Sequence, residues 1–323
     1  MRIPVLIIFG PTASGKTALL EQLFLRDPFC KAEIISADSM QVYRGMDIGT
    51  AKPSSEERSR IRHHLIDIRD INQQFNAGEF VRLAGEAIRS AASRNSLPVV
   101  SGGTGFYLKN LILGLPAAPP SDPAIRKLLK EELALSGSAP LLKELALADP
   151  VSAKRIHPND TYRLLRALEV IRLTGNPLSS FAQSGEPEKN NNEDSDFKFL
   201  VVGIRREREE LYRRINERTA LMFKQGLAAE VKKLYEAGFT PHDPGMRAIG
   251  YREFFVEDTD SAQGQVSYTL SEDLIGVQAL IAQNSRRYAK RQLVFFNSLP
   301  GVIWIDADHQ DPAEEIRRLL ISK

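Results

Sequence analysis

A single cysteine, Cys30, stands in a chain of 323 residues, so no internal disulfide can form and no thiolate cluster is available for a metal. Such cysteine usage suits a reducing compartment, and a cytoplasmic location is expected. Neither sign of charge is in surplus: 43 Lys and Arg stand against 41 Asp and Glu, a formal net charge of +2. Any nucleic-acid surface must therefore come from local clustering of basic residues, because the global field is weak. Long apolar runs are missing as well. The N-terminal run Ile3 to Phe9 is too short for the core of a signal peptide, and no other stretch is long enough to span a membrane. An Asn-Lys-x-Asp guanine-reading motif is absent, which argues against a GTPase. The apolar content of 42% is ordinary and supports one large core with a smaller one.

What the chain does have is the run Gly10-Pro11-Thr12-Ala13-Ser14-Gly15-Lys16-Thr17, between an apolar strand-like stretch and a helix opening near Lys16. Glycines at both ends let the backbone curl until its N–H groups converge on phosphate oxygens at a helix N-terminus. Lys16 then reaches the outer phosphates and Thr17 can ligate Mg²⁺. Gly10, Thr12, Ala13, Ser14, Gly15, Lys16 and Thr17 are thus candidate phosphate-binding residues. The loop does not say which phosphate it holds.

To about Leu115 the pattern alternates β-rich runs with helix-length segments, the rhythm of a parallel sheet flanked by helices in an α/β fold. Strands are expected at Val5 to Phe9, Glu33 to Ser36, Leu65 to Ile68 and Pro98 to Ser101, and helices near Lys16 to Arg26 and Gly78 to Arg94. Ligands in such sheets sit at the carboxyl ends of the strands. Pro116 to Pro123 breaks the rhythm, and about four helical stretches follow with no strand before Phe197. The expected organisation is a P-loop NTPase-like core in two parts, 1–118 and 191–323, with an all-helical insertion at 119–190 that ends in a polar loop, Ser184 to Asp196. The second part should hold a strand at Phe197 to Ile204, helices at Glu207 to Phe223, Leu227 to Ala237 and Glu272 to Phe295, a strand at Val302 to Ile305 and a helix at Pro312 to Ile321.

Asp38 falls at a strand's carboxyl end, beside the phosphate loop. It can hold a metal's water shell, accept a proton from a nucleophile, or merely cap a turn. Ser101-Gly102-Gly103-Thr104-Gly105-Phe106-Tyr107 ends another strand where a nucleotidase would carry a metal-holding aspartate, and none is present. Basic residues gather at Arg286 to Gln292 with a tyrosine interleaved, and at His157 to Arg166, where Asn159 or Asp160 can cap a helix presenting Arg163 and Arg166. Arg213, Arg214 and Arg218 share a later helix. One of them can clamp a departing phosphate, or all can pair with Glu209, Glu210 or Glu217. His63 and His64 point to opposite faces of an extended segment, so a structural role is expected for them.

Taken in order, these motifs resemble one family, the tRNA dimethylallyltransferases or tRNA isopentenyltransferases. The resemblance rests on residues 10–17, on Asp-Ser-Met-Gln-Val-Tyr-Arg-Gly-Met-Asp-Ile-Gly-Thr-Ala-Lys-Pro at 38–53, and on His-His-Leu-Ile-Asp at 63–67. It continues through Gly-Gly-Thr-Gly-Phe-Tyr at 102–107, Pro-Asn-Asp at 158–160 with Arg163 and Arg-Ala-Leu-Glu at 166–169, Ala-Ile-Gly-Tyr at 248–251, and Tyr-Ala-Lys-Arg-Gln at 288–292. It implies transfer of a dimethylallyl group from dimethylallyl diphosphate to N6 of the adenosine 3′ of a tRNA anticodon, position 37. The diphosphate then takes the loop in place of a nucleotide. By the same resemblance Asp38 is the general base, Arg218 binds diphosphate, and Thr17 carries Mg²⁺. Asp38, Ser39, Met40, Gln41, Thr104, Arg126, Tyr162, Arg163, Arg166, Arg247, Gly250, Tyr251, Arg252, Lys290, Arg291 and Gln292 face the anticodon stem-loop. A cytoplasmic monomer without membrane contact is the corresponding expectation.

Two departures stand out. Leu293-Val294-Phe295-Phe296 replaces the family's usual Thr-Trp continuation, and Tyr162 stands where glutamine is frequent. A small-molecule kinase using ATP, a prenyltransferase acting on free adenylate, and a non-enzymatic RNA-binding module are the competing readings of the same loop.

Overall fold

Apolar side chains fill both faces of the run from Val5 to Phe9, the pattern of a strand covered on both sides. In the computed structural model, which describes residues 2–26, 30–181, 196–260 and 265–321, this strand lies inside a sheet. In chain order the strands are β1 (Ile3–Phe9), β2 (Ala32–Ser36), β3 (His63–His64), β4 (Leu97–Gly102), β5 (Phe197–Arg205), β6 (Phe255–Asp260), β7 (Gln265–Leu270) and β8 (Ile303–Asp306). Six of them form one parallel sheet in the order β3-β2-β4-β1-β5-β8, and β6 pairs with β7 in a separate antiparallel hairpin. Leu6 stands opposite Val99 on one side and Leu200 on the other, which fixes β1 at the middle of the sheet.

The chain divides into two compact units, Met1–Leu113 with Asn191–Lys323, and Gly114–Asn190. The first contains α1 (Lys16–Glu21), α2 (Ser55–Arg60), α3 (Ala77–Ser93) and α4 (Gly105–Leu113). The second contains α5 (Pro123–Ser136), α6 (Ser138–Ala148), α7 (Pro150–Arg155) and α8 (Thr161–Thr174). The first unit then resumes with α9 (Arg208–Lys224), α10 (Leu227–Glu236), α11 (Leu274–Phe296) and α12 (Pro312–Ile321).

The period of two along the strands sends alternate residues to opposite faces. Leu6, Ile8, Ile34, Val99 and Val202 pack with Leu19 and Leu23 near α1 and with Ala313 and Ile316 of α12. Ile7, Phe9, Ile35 and Val100 pack with Phe80 and Ile88 of α3, Leu108 of α4 and Phe296 of α11. Each such buried side chain contributes about 2 kcal/mol of apolar burial, so the sheet is a rigid platform for the loops at its carboxyl edge. A third core joins Val42, Tyr43 and Met46 to Leu227, Val231, Tyr251 and Phe254. In the helical unit, α5, α6 and α8 close on Leu129, Leu145, Leu164, Leu165 and Leu168.

The expected strand at Leu65 to Ile68 is not one. Leu65 and Asp67 have φ of 63° and 56°, a left-handed backbone that no strand accepts, and pairing stops at the two residues of β3. Asp67 is held there by Lys52 and Arg58, both at 2.6 Å. The expected helix Lys16 to Arg26 ends as α1 at Glu21 and continues as a wider π-helical turn, Gln22–Arg26. α2, α4 and the hairpin β6–β7 were not anticipated. α2 does carry a local signal, since Ser54 and Glu57 form a reciprocal capping box. Apart from Asp196, the polar loop 184–196 lies outside the described residues.

Candidate active site

The loop between β1 and α1 owes its shape to residues that only one side chain suits. A Cβ on Gly10 would lie 2.6 Å from the carbonyl oxygen of Ile204 on the neighbouring strand, so glycine is required by close approach. Gly15, at φ 99°, turns the chain into α1, whose first N–H groups have no intrahelical partners. Ala13 holds φ 63° without being glycine, a strained backbone of the kind that collects at ligand loops. Three arginines brace the loop. Arg214 Nε donates to the Ala13 carbonyl at 2.9 Å, Arg206 Nε donates to the Ser14 carbonyl at 3.0 Å, and an Arg218 N–H donates to Thr12 Oγ1 at 3.2 Å. Arg206 is itself fixed by Asp308.

Lys16 folds back over the same loop. Its ammonium donates to the carbonyls of Gly10 at 3.0 Å and Pro11 at 2.9 Å and to Ser14 Oγ at 3.4 Å. Burial first, and then the positive charge of Arg218, pull its pKa down to about 7 against the opposing pull of Asp38. Burial lowers Arg218 too, again opposed by Asp38. A dianion placed between these two cations would relieve both shifts, which is the electrostatic signature of a phosphate cradle.

Lys16, Thr17, Asp38, Arg218, Tyr288 and Gln292 line one cavity of about 860 Å³. Asp38 Oδ1 accepts from the Met40 N–H at 2.8 Å and the Gln41 N–H at 3.2 Å, so it caps the turn after β2 and still faces the cavity with Lys16 and Arg218 in electrostatic reach. Capping and chemistry therefore coexist in one carboxylate. The ends of β2 and β4 approach so closely that a Cβ on Gly102 would lie 2.1 Å from the Ala37 carbonyl oxygen. There Thr104 Oγ1 accepts the Ser39 N–H at 3.0 Å, tying the two loops together. Burial raises the Tyr288 phenol to about 12, with the charge of Asp38 adding to the shift.

The residues expected at an RNA surface separate into distinct groups. Lys290 and Arg291 are exposed on α11, and Tyr162 and Arg163 on α8. Arg247 is exposed and bonds the Pro241 and His242 carbonyls, and Arg252 is half-exposed beside Glu253. Arg126 and Arg166 are committed within the helical unit to the fully buried Glu169, at 3.2 and 3.0 Å, and Arg126 also lies over the Tyr162 ring. Tyr251 is fully buried, with its hydroxyl donating to Glu230 at 2.6 Å, and Gly250 holds φ 100° beside it. Gln292 is buried between the phosphate loop and Gly103. Of the α9 arginines, Arg213 pairs with Glu210 at 2.7 Å and with Glu217, Arg214 pairs with Glu210 at 3.7 Å, and both Arg214 and Arg218 line the cavity. His64 bonds Glu33 at 2.8 Å, in keeping with the structural role expected for it, and His63 bonds the Ile61 carbonyl and also lines the cavity. Sequence reading missed Arg206, Glu230, Lys52 and the part played by Tyr288. Of these, Tyr288 had a local signal as a member of a basic cluster, and Lys52 lies within the family motif at 38–53.

The sheet order defines an α/β protein with a six-stranded parallel sheet flanked by helices. The IPP transferase family profile matches residues 41–299. A tRNA dimethylallyltransferase of Geobacter sulfurreducens is 44% identical over 302 residues, 94% of this chain and 91% of that one, and tRNA dimethylallyltransferase 2 of Geotalea uraniireducens is 45% identical over 305 residues, 94% and 93%. The crystal structure of a tRNA isopentenylpyrophosphate transferase from Bacillus halodurans is similar at a TM-score of 0.64 and 36% identity, covering 100% of this chain and 96% of that one. A eukaryotic dimethylallyltransferase solved acting on tRNA is similar at a TM-score of 0.74 and 26% identity, over 99% and 78%. The chain belongs to the IPP transferase family, and the relatives it matches are tRNA dimethylallyltransferases.

Proposed function

We propose that this chain transfers a dimethylallyl group from dimethylallyl diphosphate to N6 of adenosine 37, beside the anticodon of tRNA, releasing diphosphate. The observation that carries the reading is a single cavity in which a dianion cradle, Lys16 with Arg218, lies beside the carboxylate of Asp38. The exocyclic N6 is a weak nucleophile. As it forms a bond to the first allylic carbon, the carbon–oxygen bond to diphosphate breaks, and Asp38 takes the proton that N6 loses. Lys16, Arg218 and the amides at the start of α1 stabilise the charge growing on the leaving diphosphate. No nucleotide phosphate is consumed, so the loop serves the prenyl donor and an ATP site is not part of the scheme.

Mg²⁺ fits this donor set. Thr17 presents a hydroxyl at the cavity wall, and no group of three or more His, Cys, Asp or Glu able to hold a metal exists among the described residues. One hydroxyl plus diphosphate oxygens and waters is a coordination that Mg²⁺ accepts. When bound, the ion would neutralise charge on the leaving diphosphate.

The target base must leave the anticodon stack to reach Asp38, as for other base-modifying enzymes. Exposed Tyr162, Arg163, Lys290, Arg291 and Arg252 are the residues proposed to hold RNA, while Gln41 lines the cavity and Ser39, Met40 and Thr104 form the turn beside Asp38. No helix among the described residues is long and apolar enough to cross a membrane. The proposed reaction takes place on tRNA in the cytoplasm, and a monomer suffices for the chemistry. The experiment is transfer of radiolabel from dimethylallyl diphosphate to unmodified tRNA by the purified protein with Mg²⁺, with AMP and γ-labelled ATP run alongside. Label on tRNA alone supports the proposal. Label on AMP, or phosphate transfer from ATP, would replace it with an adenylate prenyltransferase or a kinase.

A further inference from the structure

Glu230 on α10 is half-buried and does not line the cavity, yet its carboxylate is fully engaged. Oε2 accepts the Asp47 N–H at 3.0 Å and the Ile48 N–H at 2.9 Å, and Oε1 accepts the Gly49 N–H at 3.3 Å and the Tyr251 hydroxyl at 2.6 Å. Three successive amides converging on one point form an anion nest. Here the anion is a side chain of the same protein. Only a carboxylate offers enough lone pairs, with no donor of its own, to satisfy four donors at once. Gly49 is required by close approach, since a Cβ there would lie 2.4 Å from the Tyr251 ring.

The next residues in the loop reach the site. Gln41 Nε2 donates to the carbonyls of Thr50 at 3.4 Å and Ala51 at 3.3 Å, and Gln41 Oε1 accepts the Ser36 hydroxyl at 2.9 Å. The backbone N–H of Gln41 then donates to Asp38 Oδ1 at 3.2 Å. Hydrogen bonds, linked by the intervening backbone of the loop and by Gln41 itself, thus join Glu230 to the amides of 47–49, the carbonyls of 50 and 51, and Asp38. Lys52, its side chain 1% exposed, fastens the same loop from the other side through the Tyr43 carbonyl at 2.8 Å and the carboxylates of Asp47 and Asp67, each at 2.6 Å.

We infer that Glu230, with Tyr251, is a positioning residue for the transfer reaction, holding the loop 47–51 so that Gln41 fixes the Asp38 carboxylate against the cavity. The inference rests on the function proposed above. It differs from a plain stabilising role, because the effect must pass through Gln41.

The test combines single-turnover transfer with amide hydrogen exchange. Glu230→Ala is expected to slow transfer about tenfold at saturating donor, with donor affinity changed less than about twofold. In a Gln41→Ala background the same substitution should add less than about a further twofold, because coupled residues are non-additive. Exchange should rise at 47–49 and also at Met40 and Gln41. Tyr251→Phe keeps the packing and removes one donor, so it should show the same pattern at smaller size, and it serves as the readout if Glu230→Ala does not fold. Full additivity with Gln41→Ala, or faster exchange confined to 47–49, would overturn the relay. Exchange needs no turnover, so a wild-type protein inactive on tRNA would sink the proposed function while the exchange pattern still decides the relay.

Discussion

Gln292 accepts the Thr12 N–H on its carbonyl oxygen at 3.0 Å and donates its own amide to the Gly103 carbonyl at 2.7 Å, stitching the phosphate loop to the glycine loop after β4. Both ends of the carboxamide are used, so neither a carboxylate nor an apolar residue can replace it. A Cβ on Gly103 would lie 2.6 Å from its Nε2, which shows how tightly the group is seated. Gln292→Glu loses the donor and places negative charge beside the diphosphate. We expect donor affinity to fall roughly tenfold to a hundredfold, the scale of one buried group left unsatisfied. Donor titration checks this, and an unchanged dissociation constant would contradict it.

In the proposed function, Lys16 should make donor binding dependent on pH. Its pKa of about 7 in the free protein must rise when diphosphate arrives, because a nearby dianion favours the ammonium. The bound state therefore holds more protons than the free one above pH 7, and affinity for the donor falls as the pH is raised from 7. Calorimetry at pH 8 in buffers of different ionisation enthalpy should show uptake approaching one proton on binding, and Lys16→Arg should abolish it. Equal heats in all buffers would contradict the assignment.

Much of the core was legible because its signals are local. The loop 10–17, the apolar run of β1 and the apolar periods of α9 to α12 each report on their own conformation. The strand expected at Leu65 to Ile68 failed for a non-local reason: Asp67 is drawn into a left-handed turn by Lys52 and Arg58, which no window of sequence reveals. Glu230 looks like any surface glutamate of an amphipathic helix until the fold brings residues 47–49 to it. Arg206 likewise acquires its meaning only once β5 ends beside Ser14. Arg163 and Arg166 share one side of a helix in sequence, yet Arg166 is occupied by Glu169 and the Pro119 carbonyl.

That division separates two effects in the helical unit. Glu169 is fully buried and accepts from the Ser121 hydroxyl at 2.5 Å, the Asp122 N–H at 2.8 Å, Arg126 and Arg166. Burial alone would raise its pKa, but the Ser121 hydroxyl and Arg166 outweigh it and hold the carboxyl below its usual value. Its contribution to stability is thus present above the ordinary carboxylate range and lost as the pH falls through and below it. Glu169→Ala leaves two arginines without their carboxylate, and a loss of about 3 kcal/mol is expected at neutral pH. Denaturant unfolding at pH 7 measures it, and a loss under about 1 kcal/mol would contradict the network.

Arg163 and Lys290 are instead among the residues proposed to hold RNA. Both are exposed, and Arg163 pairs with Asp160 at 3.3 Å. Each alanine substitution should weaken tRNA binding and lower the slope of log affinity against log salt by about one, with fold stability unchanged. Binding isotherms across a salt series decide this, and an unaltered slope would remove these residues from the interface.

The most direct test of the account is the Asp38→Asn variant. Asparagine can still accept the Met40 and Gln41 amides through its carbonyl oxygen, so the turn survives while the proton acceptor is lost. Single-turnover transfer from dimethylallyl diphosphate to tRNA should fall by about 10² to 10⁴, with tRNA and donor affinities within about threefold of wild type. Transfer at close to the wild-type rate would show that Asp38 only caps its turn, and that the proton leaves N6 by another route.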